Sequence, residues 1–161
     1  MLDIIIVGQG IAGSLLSWFL QKADKKFVVI DNHNLSNASR VASGVTNPVT
    51  GRRFVKTWMA EDLLAFAKAT YSELETILQQ RFYEPLPIIR LFDSIKAQND
   101  WSARTSQTGY TNYLHNQNVV SLSKDKVKND FGAFEINGGT RLETETFLSA
   151  YRNHLSANKQ L

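Results

Sequence analysis

The sequence predicts an α/β fold, and three observations near its N-terminus support this prediction. An apolar, mostly β-branched segment covers residues 2–7, apolar residues at helical spacing cover 11–21, and a second apolar segment covers 27–30. Short continuous apolar runs are typical of parallel strands buried on both faces, so we expect the first strand to be covered on both sides. Together the segments predict a β-α-β unit, whose crossover should be right-handed.

The following segment, residues 32–53, is small and polar and has no sustained periodicity. It predicts more than twenty residues of irregular chain, and such lengths inside a compact domain usually have a function. An exposed surface loop is the alternative interpretation.

The remaining elements are predicted from periodicity, capping residues and prolines. A long helix should begin at Thr57, which can cap it. An edge strand is expected over 82–92, because Pro85 and Pro87 cannot donate to a central ladder. A short helix is expected over 95–104, and residues 132–142 predict a strand, a Gly138-Gly139 turn and a brief return. The apolar stripe of the long helix would contain Leu63, Phe66, Ala67, Thr70, Tyr71, Leu74, Ile77 and Leu78, and a final helix over 143–158 would bury Phe147, Leu148, Tyr151 and Leu155.

Composition excludes several classes of protein. Of 161 residues, 43% are hydrophobic and 20% are charged, which are ordinary globular values. A net charge of +3 without a dense basic cluster does not favour nucleic-acid binding. Cysteine is absent, and the three histidines show no metal-ligand spacing. No apolar run approaches the roughly 20 residues of a membrane span, and no signal-peptide pattern opens the chain, so we expect a cytoplasmic protein without membrane association.

Three glycines separate the first predicted strand from the first helix. Gly8, Gly10 and Gly13 form a G-x-G-x-x-G pattern. In such a turn the first glycine permits the tight bend, the second lets a pyrophosphate approach the backbone, and the third lets the helix pack closely on the strand. The amides of Ile11 and Ala12 would then bind the anion with help from the helix dipole.

An acidic residue completes this pattern. Asp31 follows the second predicted strand, 18 residues after Gly13, where a carboxylate accepts hydrogen bonds from ribose hydroxyls. With strand, helix, second strand and acid all in order, we predict a dinucleotide site. The alternative is a structural turn in which Asp31 caps a loop.

The long polar segment bears on which dinucleotide is bound. A nicotinamide-binding Rossmann domain would normally continue promptly with another helix and strand. A cofactor longer than NAD needs chain alongside its far half, and small residues there would allow a close backbone approach. These residues are Ser39, Ala42, Ser43 and Gly44.

Several stretches resemble the FAD-dependent oxidoreductases of the D-amino acid oxidase (DAO) superfamily, on the glycine oxidase side. The matching stretches are GQGIAGSLLSWFL, VVIDNHN, ASRVASGVTNPVTGRR and EINGGTRLETETFLSAYRNHL. The match is tight over residues 1–58 and about 135–157, and the middle of the chain is divergent.

The resemblance implies an FAD/NAD(P)-binding Rossmann-like three-layer domain, with the beginning of a β-rich substrate domain. Residues 1–81 would form the N-terminal part of the FAD-binding domain, 82–131 the start of the substrate domain, and 132–161 a return to the first domain. Because family enzymes are about twice this length, the resemblance also implies that the chain is an N-terminal fragment, inactive and weak in FAD binding by itself, with possible self-association.

Site residues follow from the same resemblance. Arg40 occupies a position where small residues are usual, and it either pairs with phosphate or points to solvent. Ile11 and Ala12 would contact the pyrophosphate, Asp31 the ribose, Asn32 the adenosine, Ala38 and Ser39 the phosphates, and Ser43, Gly44 and Val45 the flavin.

The resemblance implies oxidation of the C–N bond of an amino acid or amine by hydride transfer to flavin. No catalytic residue is identified. Arg52, Arg53 and Trp58 either approach the substrate or form a solvated face, and Tyr110 and Tyr113 are expected to serve packing. Two alternatives remain open: a flavin domain acting on a modified tRNA base, and a nucleotide-binding module without catalysis or an NAD enzyme.

Overall fold

The computed structural model describes residues 1–33, 37–118, 127–128 and 130–161. The chain forms two compact units, the first made of residues 1–44, 70–83 and 142–161, and the second of residues 45–69 and 84–141. The assignment of segments to a cofactor domain and a substrate domain stays a prediction. In chain order the elements are β1 (Ile4–Val7), α1 (Ile11–Lys22), β2 (Phe27–Ile30), α2 (Ala38–Val41), β3 (Val45–Thr46), β4 (Val49–Thr50), β5 (Val55–Lys56), α3 (Ala60–Leu78), β6 (Tyr83–Pro85), β7 (Ile88–Leu91), α4 (Ile95–Thr105), β8 (Leu114–Asn118), β9 (Ala133–Ile136), β10 (Thr140–Leu142) and α5 (Thr144–Ala157).

The predicted β-α-β unit is present in the first unit. Strands β1 and β2 pair in parallel, from Ile4 opposite Phe27 to Val7 opposite Ile30. Helix α1 connects them and packs against α5, where the Tyr151 hydroxyl is hydrogen-bonded to the Ser17 hydroxyl at 3.0 Å. These contacts cover one face of the strand pair.

The expectation that the first strand is covered on both faces is wrong. Ile6 is buried, whereas Ile5 and Val7 are 59% and 84% exposed. Side chains alternate between the two faces of a strand, and helix α1, which contacts both β1 and β2, lies on the face of the buried Ile6. An uninterrupted apolar run therefore shows that both faces of a strand can be buried, but it does not show whether other elements of this chain pack against both faces.

The described residues of the segment 32–53 contain more regular structure than its composition predicts, and residues 34–36 lie outside the described part. Asn37 caps the short helix α2 by accepting a hydrogen bond from the Arg40 amide at 3.0 Å. Farther along, β3 pairs antiparallel with β10, and β4 pairs antiparallel with β5. The prediction of a wholly irregular segment is wrong because these two-residue strands are too short to show periodicity, and β3 depends on a partner distant in sequence.

The long helix α3 begins later than predicted. Its first residue is Ala60, and the Thr57 hydroxyl donates to the Asn47 carbonyl at 3.1 Å instead of capping the helix. Tyr71 and Leu74 are buried as expected. Three members of the predicted apolar stripe are nevertheless exposed: Leu63, Phe66 and Ile77.

The predicted edge strand over 82–92 is two strands, β6 and β7, interrupted at Leu86 and Pro87. Both lie at the edge of a sheet, as the prolines predict: one sheet has the order β3-β10-β6 and the other β7-β9-β8. Strands β9 and β10 flank the glycine turn but belong to different sheets. The predicted strand, glycine turn and short second strand are therefore present, but the second strand does not pair with the first.

Aromatic residues form the core of the second unit. Trp101, on α4, is fully buried and meets the rings of Phe54, Phe92 and Phe134 with centroid distances of 5.2–5.6 Å. Its indole N–H donates to the His115 carbonyl at 3.1 Å. The predicted helices at 95–104 and 143–158 are confirmed as α4 and α5, and α5 buries all of its predicted apolar residues: Phe147, Leu148, Tyr151 and Leu155.

Candidate nucleotide-binding site

The glycine turn brings β1 and α1 into backbone contact. A Cβ atom on Gly13 would lie 2.0 Å from the Gly8 carbonyl oxygen, a distance at which only glycine fits. Gly8 has a φ of 97°, in the left-handed region that favours glycine, and a Cβ there would meet no atom within 4 Å. The structure therefore confirms the close helix–strand packing expected of Gly13, and it leaves open space beside Gly8.

The first turn of α1 contains no acidic residue. The Ile11 amide donates to the Ser39 hydroxyl at 3.2 Å, and the N-cap residue, Gly10, has no side chain that could accept from the amides that follow. In the described part of the chain, the amides of Ala12 and Gly13 have no acceptor. A helix N-terminus of this kind attracts anions through its free N–H groups and its dipole.

Ser39 lies close to this helix start. A Cβ on Gly10 would stand 2.9 Å from the Ser39 hydroxyl oxygen, so a larger residue there would require the Ser39 side chain to shift. The structure thus brings together two residues that the sequence predicts near phosphate, Ile11 and Ser39, although 28 positions separate them.

Asp31 is joined to the glycine turn by a set of hydrogen bonds. Its Oδ2 accepts from the Gln9 amide at 2.9 Å, and its Oδ1 accepts from the His33 amide at 2.8 Å and from Arg152 Nη1 at 2.8 Å. The Gln9 side chain is buried and donates to the Leu148 carbonyl at 3.0 Å. The carboxylate is therefore fixed against both the turn and helix α5.

These contacts keep Asp31 ionised. Burial alone would raise the pKa of Asp31, but the hydrogen bonds from the Gln9 and His33 amides and the pairing with Arg152 outweigh it and hold the pKa below its ordinary value. At neutral pH the group is thus a carboxylate that accepts hydrogen bonds, as contact with a ribose hydroxyl requires.

Gln9 and Arg152 were not predicted from the sequence. A weak signal for Arg152 was present, because it lies four residues after the buried Leu148 and next to the buried Tyr151, at the border of the apolar face of α5. Its partner Asp31 is 121 residues away, and nothing in the local pattern identifies that pairing.

The residues predicted to flank the cofactor farther along the chain are less closely grouped. Asn32, Ala38 and Ser43 are exposed. Gly44 has a φ of 69°, and a Cβ there would lie 1.9 Å from the Leu142 carbonyl oxygen, so this glycine serves a contact with protein backbone. Val45 begins the second unit. Their cofactor contacts stay predictions.

Arg40 follows neither of its two predicted alternatives. Its side chain is only 3% exposed, and Nη1 pairs with Glu145 and reaches the Ser149 hydroxyl at 3.4 Å. It therefore joins α2 to α5. Arg52, Arg53 and Trp58 are exposed, which agrees with a solvated face.

The described residues contain neither a candidate metal site nor a candidate membrane span. Within residues 1–33, 37–118, 127–128 and 130–161, no group of three or more His, Cys, Asp or Glu side chains could hold a metal ion. Over the same ranges, no helix is long and apolar enough to cross a membrane.

This arrangement defines a nucleotide-binding protein of the Rossmann type: a strand, a glycine turn, a helix and an acidic residue at the end of the second strand. The family model for the FAD-dependent oxidoreductases (DAO) matches residues 3–159, and the chain belongs to that family. The family assignment confirms the predicted resemblance and the predicted cofactor, FAD.

Solved structures share the fold at low sequence identity. A glycine oxidase from Bacillus cereus ATCC 14579 matches with a TM-score of 0.69 and 16% identity, over 97% of this chain and 44% of its own. Iminodiacetate oxidase from Chelativorans sp. BNC1 matches with a TM-score of 0.68 and 16% identity, over 95% and 44%. FAD-bound L-alpha-glycerophosphate oxidase from Mycoplasma pneumoniae matches with a TM-score of 0.60 and 16% identity, over 98% and 43%.

These comparisons confirm the predicted α/β fold class. The chain spans less than half the length of each of the three solved proteins. At 16% identity the likeness concerns the fold, and it leaves the substrate to be argued separately.

Proposed function

We propose that the protein containing this chain is an FAD-dependent oxidoreductase that oxidises the C–N bond of a small amino acid or amine. The observation that supports it most directly is the joining of the α1 N-terminus and the Asp31 carboxylate through Gln9, within a chain of the FAD-dependent oxidoreductase family. An anion site and a ribose acceptor at this spacing match the adenosine diphosphate half of the cofactor.

The residues of the turn fit this half of the cofactor. The amides of Ile11 and Ala12 would donate to pyrophosphate oxygens, and the Ser39 hydroxyl, now accepting from Ile11, can rotate to donate to the same group. The open space beside Gly8 leaves room for the pyrophosphate, and the Ser39 hydroxyl lies beside Gly10, within reach of the same group. Asp31 would accept from a ribose hydroxyl.

Residues that follow Asp31 in the chain would make the further contacts with the cofactor. Asn32 would flank the adenosine, Ala38 the phosphates, and the backbone of Ser43, Gly44 and Val45 the flavin. When bound, FAD supplies the two-electron oxidation, and the protein contributes binding, orientation and exclusion of water. No side chain of residues 1–161 is assigned a catalytic role.

An amine substrate is preferred over an alcohol for one reason. The motifs around the glycine turn and in residues 38–53 resemble the glycine oxidase side of the superfamily. Glycine oxidase and iminodiacetate oxidase are named for amine substrates, whereas glycerophosphate oxidase is named for an alcohol, so the family alone does not decide between the two bonds.

The test is to purify the whole protein and record its absorbance. We expect a yellow protein whose flavin band bleaches without oxygen on addition of one member of a panel of small amino acids and secondary amines. If glycerol phosphate bleached the flavin and no amine did, the oxidised bond would be the C–O bond of an alcohol, and the amine assignment would be wrong. A colourless protein that binds NADH in a titration would contradict the proposal altogether.

A further inference from the structure

We propose that Arg152 is a positioning residue for the cofactor, which acts through Asp31 and leaves that carboxylate a single acceptor site for one ribose hydroxyl. This inference rests on the proposed FAD site and goes beyond it, because it assigns a role to a helix α5 residue and predicts how many sugar hydroxyls the acid receives. It is carried by the hydrogen bonds around Asp31.

The first step is a count of the acceptor sites of the carboxylate. An ionised carboxylate offers about four lone-pair sites, two on each oxygen. Oδ1 accepts from Arg152 and from the His33 amide, and Oδ2 accepts from the Gln9 amide. Among the donors that the described residues supply, these three leave one site, on Oδ2, for a ligand, and a second hydroxyl would have to displace one of them.

The second step concerns what holds the carboxylate in this orientation. The side chains of Arg152 and Asp31 are only 20% and 12% exposed, and the distance between Nη1 and Oδ1 is 2.8 Å. Such a partly buried, charge-assisted hydrogen bond restricts rotation of the carboxylate more than an exposed pair does. Nη1 also lies 3.4 Å from Gln9 Oε1, so one guanidinium contacts both the acid and the turn.

The third step concerns the contacts of helix α5 that position the Arg152 guanidinium. Arg152 follows Tyr151, whose ring is fully buried and whose hydroxyl is bonded to Ser17 on α1. Gln9 in turn donates to the Leu148 carbonyl, one turn earlier on α5. Helix α5 is thus held to both α1 and the turn, which places Arg152 at a defined distance from Asp31.

The test uses ADP as a probe of the adenosine half, with the whole protein stripped of flavin. We expect that either 2′-deoxy-ADP or 3′-deoxy-ADP binds about tenfold more weakly than ADP, as for one lost hydrogen bond to a charged group, while the other binds nearly as well. Equal weakening by both deoxy compounds would overturn the single-acceptor assignment.

The second arm is a double-mutant cycle between Arg152→Met and Asp31→Asn. Arg152→Met alone should weaken ADP about tenfold and abolish discrimination between the deoxy compounds, and it should have little further effect once Asp31 is asparagine. Additive losses in the double variant would overturn the proposal, since they would mean that Arg152 does not act through Asp31.

Controls separate this inference from a general loss of structure and from failure of the FAD site. Lys22→Met removes an exposed ion pair of the same unit, with Glu73, and should leave ADP affinity unchanged. If Arg152→Met does not fold, Arg152→Lys replaces it, because lysine keeps the charge but presents a single ammonium group. Reduced discrimination between the deoxy compounds by this variant would support the proposal, and discrimination equal to that of the wild type would overturn it. Wild-type protein that binds neither ADP nor FAD would instead contradict the proposed function.

Discussion

The glycine turn of the first unit and the core of the second unit are built from different groups, although the first unit also contains ring contacts of its own, such as that between Phe82 and Phe147. Around the glycine turn of the first unit, buried and half-buried polar groups are hydrogen-bonded to each other: Gln9, Asp31 and Arg152. In the second unit the corresponding central positions are aromatic rings in edge and tilted contacts, around Trp101.

This difference indicates that the glycine turn is arranged for ligand binding, whereas the ring cluster contributes stability. Ring packing contributes stability through buried area and ring contacts, and it needs no ionised group. A hydrogen-bonded network around a carboxylate adds little net stability, because the cost of desolvating its charges offsets most of their attraction. It does, however, fix the direction in which the carboxylate accepts hydrogen bonds. Four substitutions, from the largest expected effect to the smallest, test this contrast.

The largest effect is expected from Trp101→Ala. It removes a fully buried ring and leaves the His115 carbonyl without its indole donor. We expect the free energy of unfolding to fall by about 3–5 kcal/mol in denaturant titrations. Trp58→Ala, at an exposed tryptophan, is the matched control and should change it by less than about 0.5 kcal/mol. Similar losses in the two variants would show that the ring cluster does not dominate the second unit.

Gly13→Ala should have the next largest effect. Its new methyl group would collide with the Gly8 carbonyl, which is backbone and cannot turn away as a side chain could. We expect a loss of stability of about 1–3 kcal/mol, the range for overpacking, together with weaker FAD binding in fluorescence titrations. Gly51→Ala is the control: it has a positive φ but open space, so it should cost about 1–2 kcal/mol without changing FAD binding. Unchanged FAD affinity in Gly13→Ala would argue against this turn as the cofactor site.

Asp31→Asn should reduce the dependence of stability on pH. The pKa of Asp31 is lowered in the folded protein, so the ionised side chain stabilises the fold. This stabilisation is fully present above the pKa of Asp31 in the unfolded chain, about 3.9, and it is lost as the pH falls through the lower pKa of the folded protein. Unfolding measured from pH 6 to pH 3 should therefore show a smaller decline for Asp31→Asn than for the wild type. The pKa of Glu145 is also lowered, by its pairing with Arg40, but it contributes to both proteins alike. Identical declines would mean that the Asp31 network does not affect folding.

Lys22→Met should have the smallest effect. Lys22 and Glu73 form an ion pair at 2.8 Å, but both side chains are more than 40% exposed. Exposed pairs contribute about 0–1 kcal/mol, so we expect a change within that range, and one that decreases with added salt. A larger loss in thermal unfolding would show that this pair holds α1 to the helix that carries Glu73 more strongly than its exposure indicates.

Local sequence determined the β-α-β unit and the chemistry of its glycine turn. Residues 27–30 form a strand with the predicted limits, and α1 begins at Ile11 as predicted. These features follow from side-chain size and backbone freedom within a few residues, which is why the roles of Gly8 and Gly13 could be read directly. The family and its FAD cofactor were predicted from the resemblance of several stretches to the DAO superfamily, and the family model confirms both.

Tertiary structure decided which groups surround Asp31 and which apolar surfaces are covered. Arg152 reaches the carboxylate across 121 positions, and Arg40 pairs with Glu145 across 105, so neither pairing has a local signature. Ile5 and Val7 have the same apolar character as the buried Ile6, yet they are exposed because of what lies against each face. Sequence specifies what a residue can do within its own turn or strand, whereas its partners at long range depend on how the elements pack.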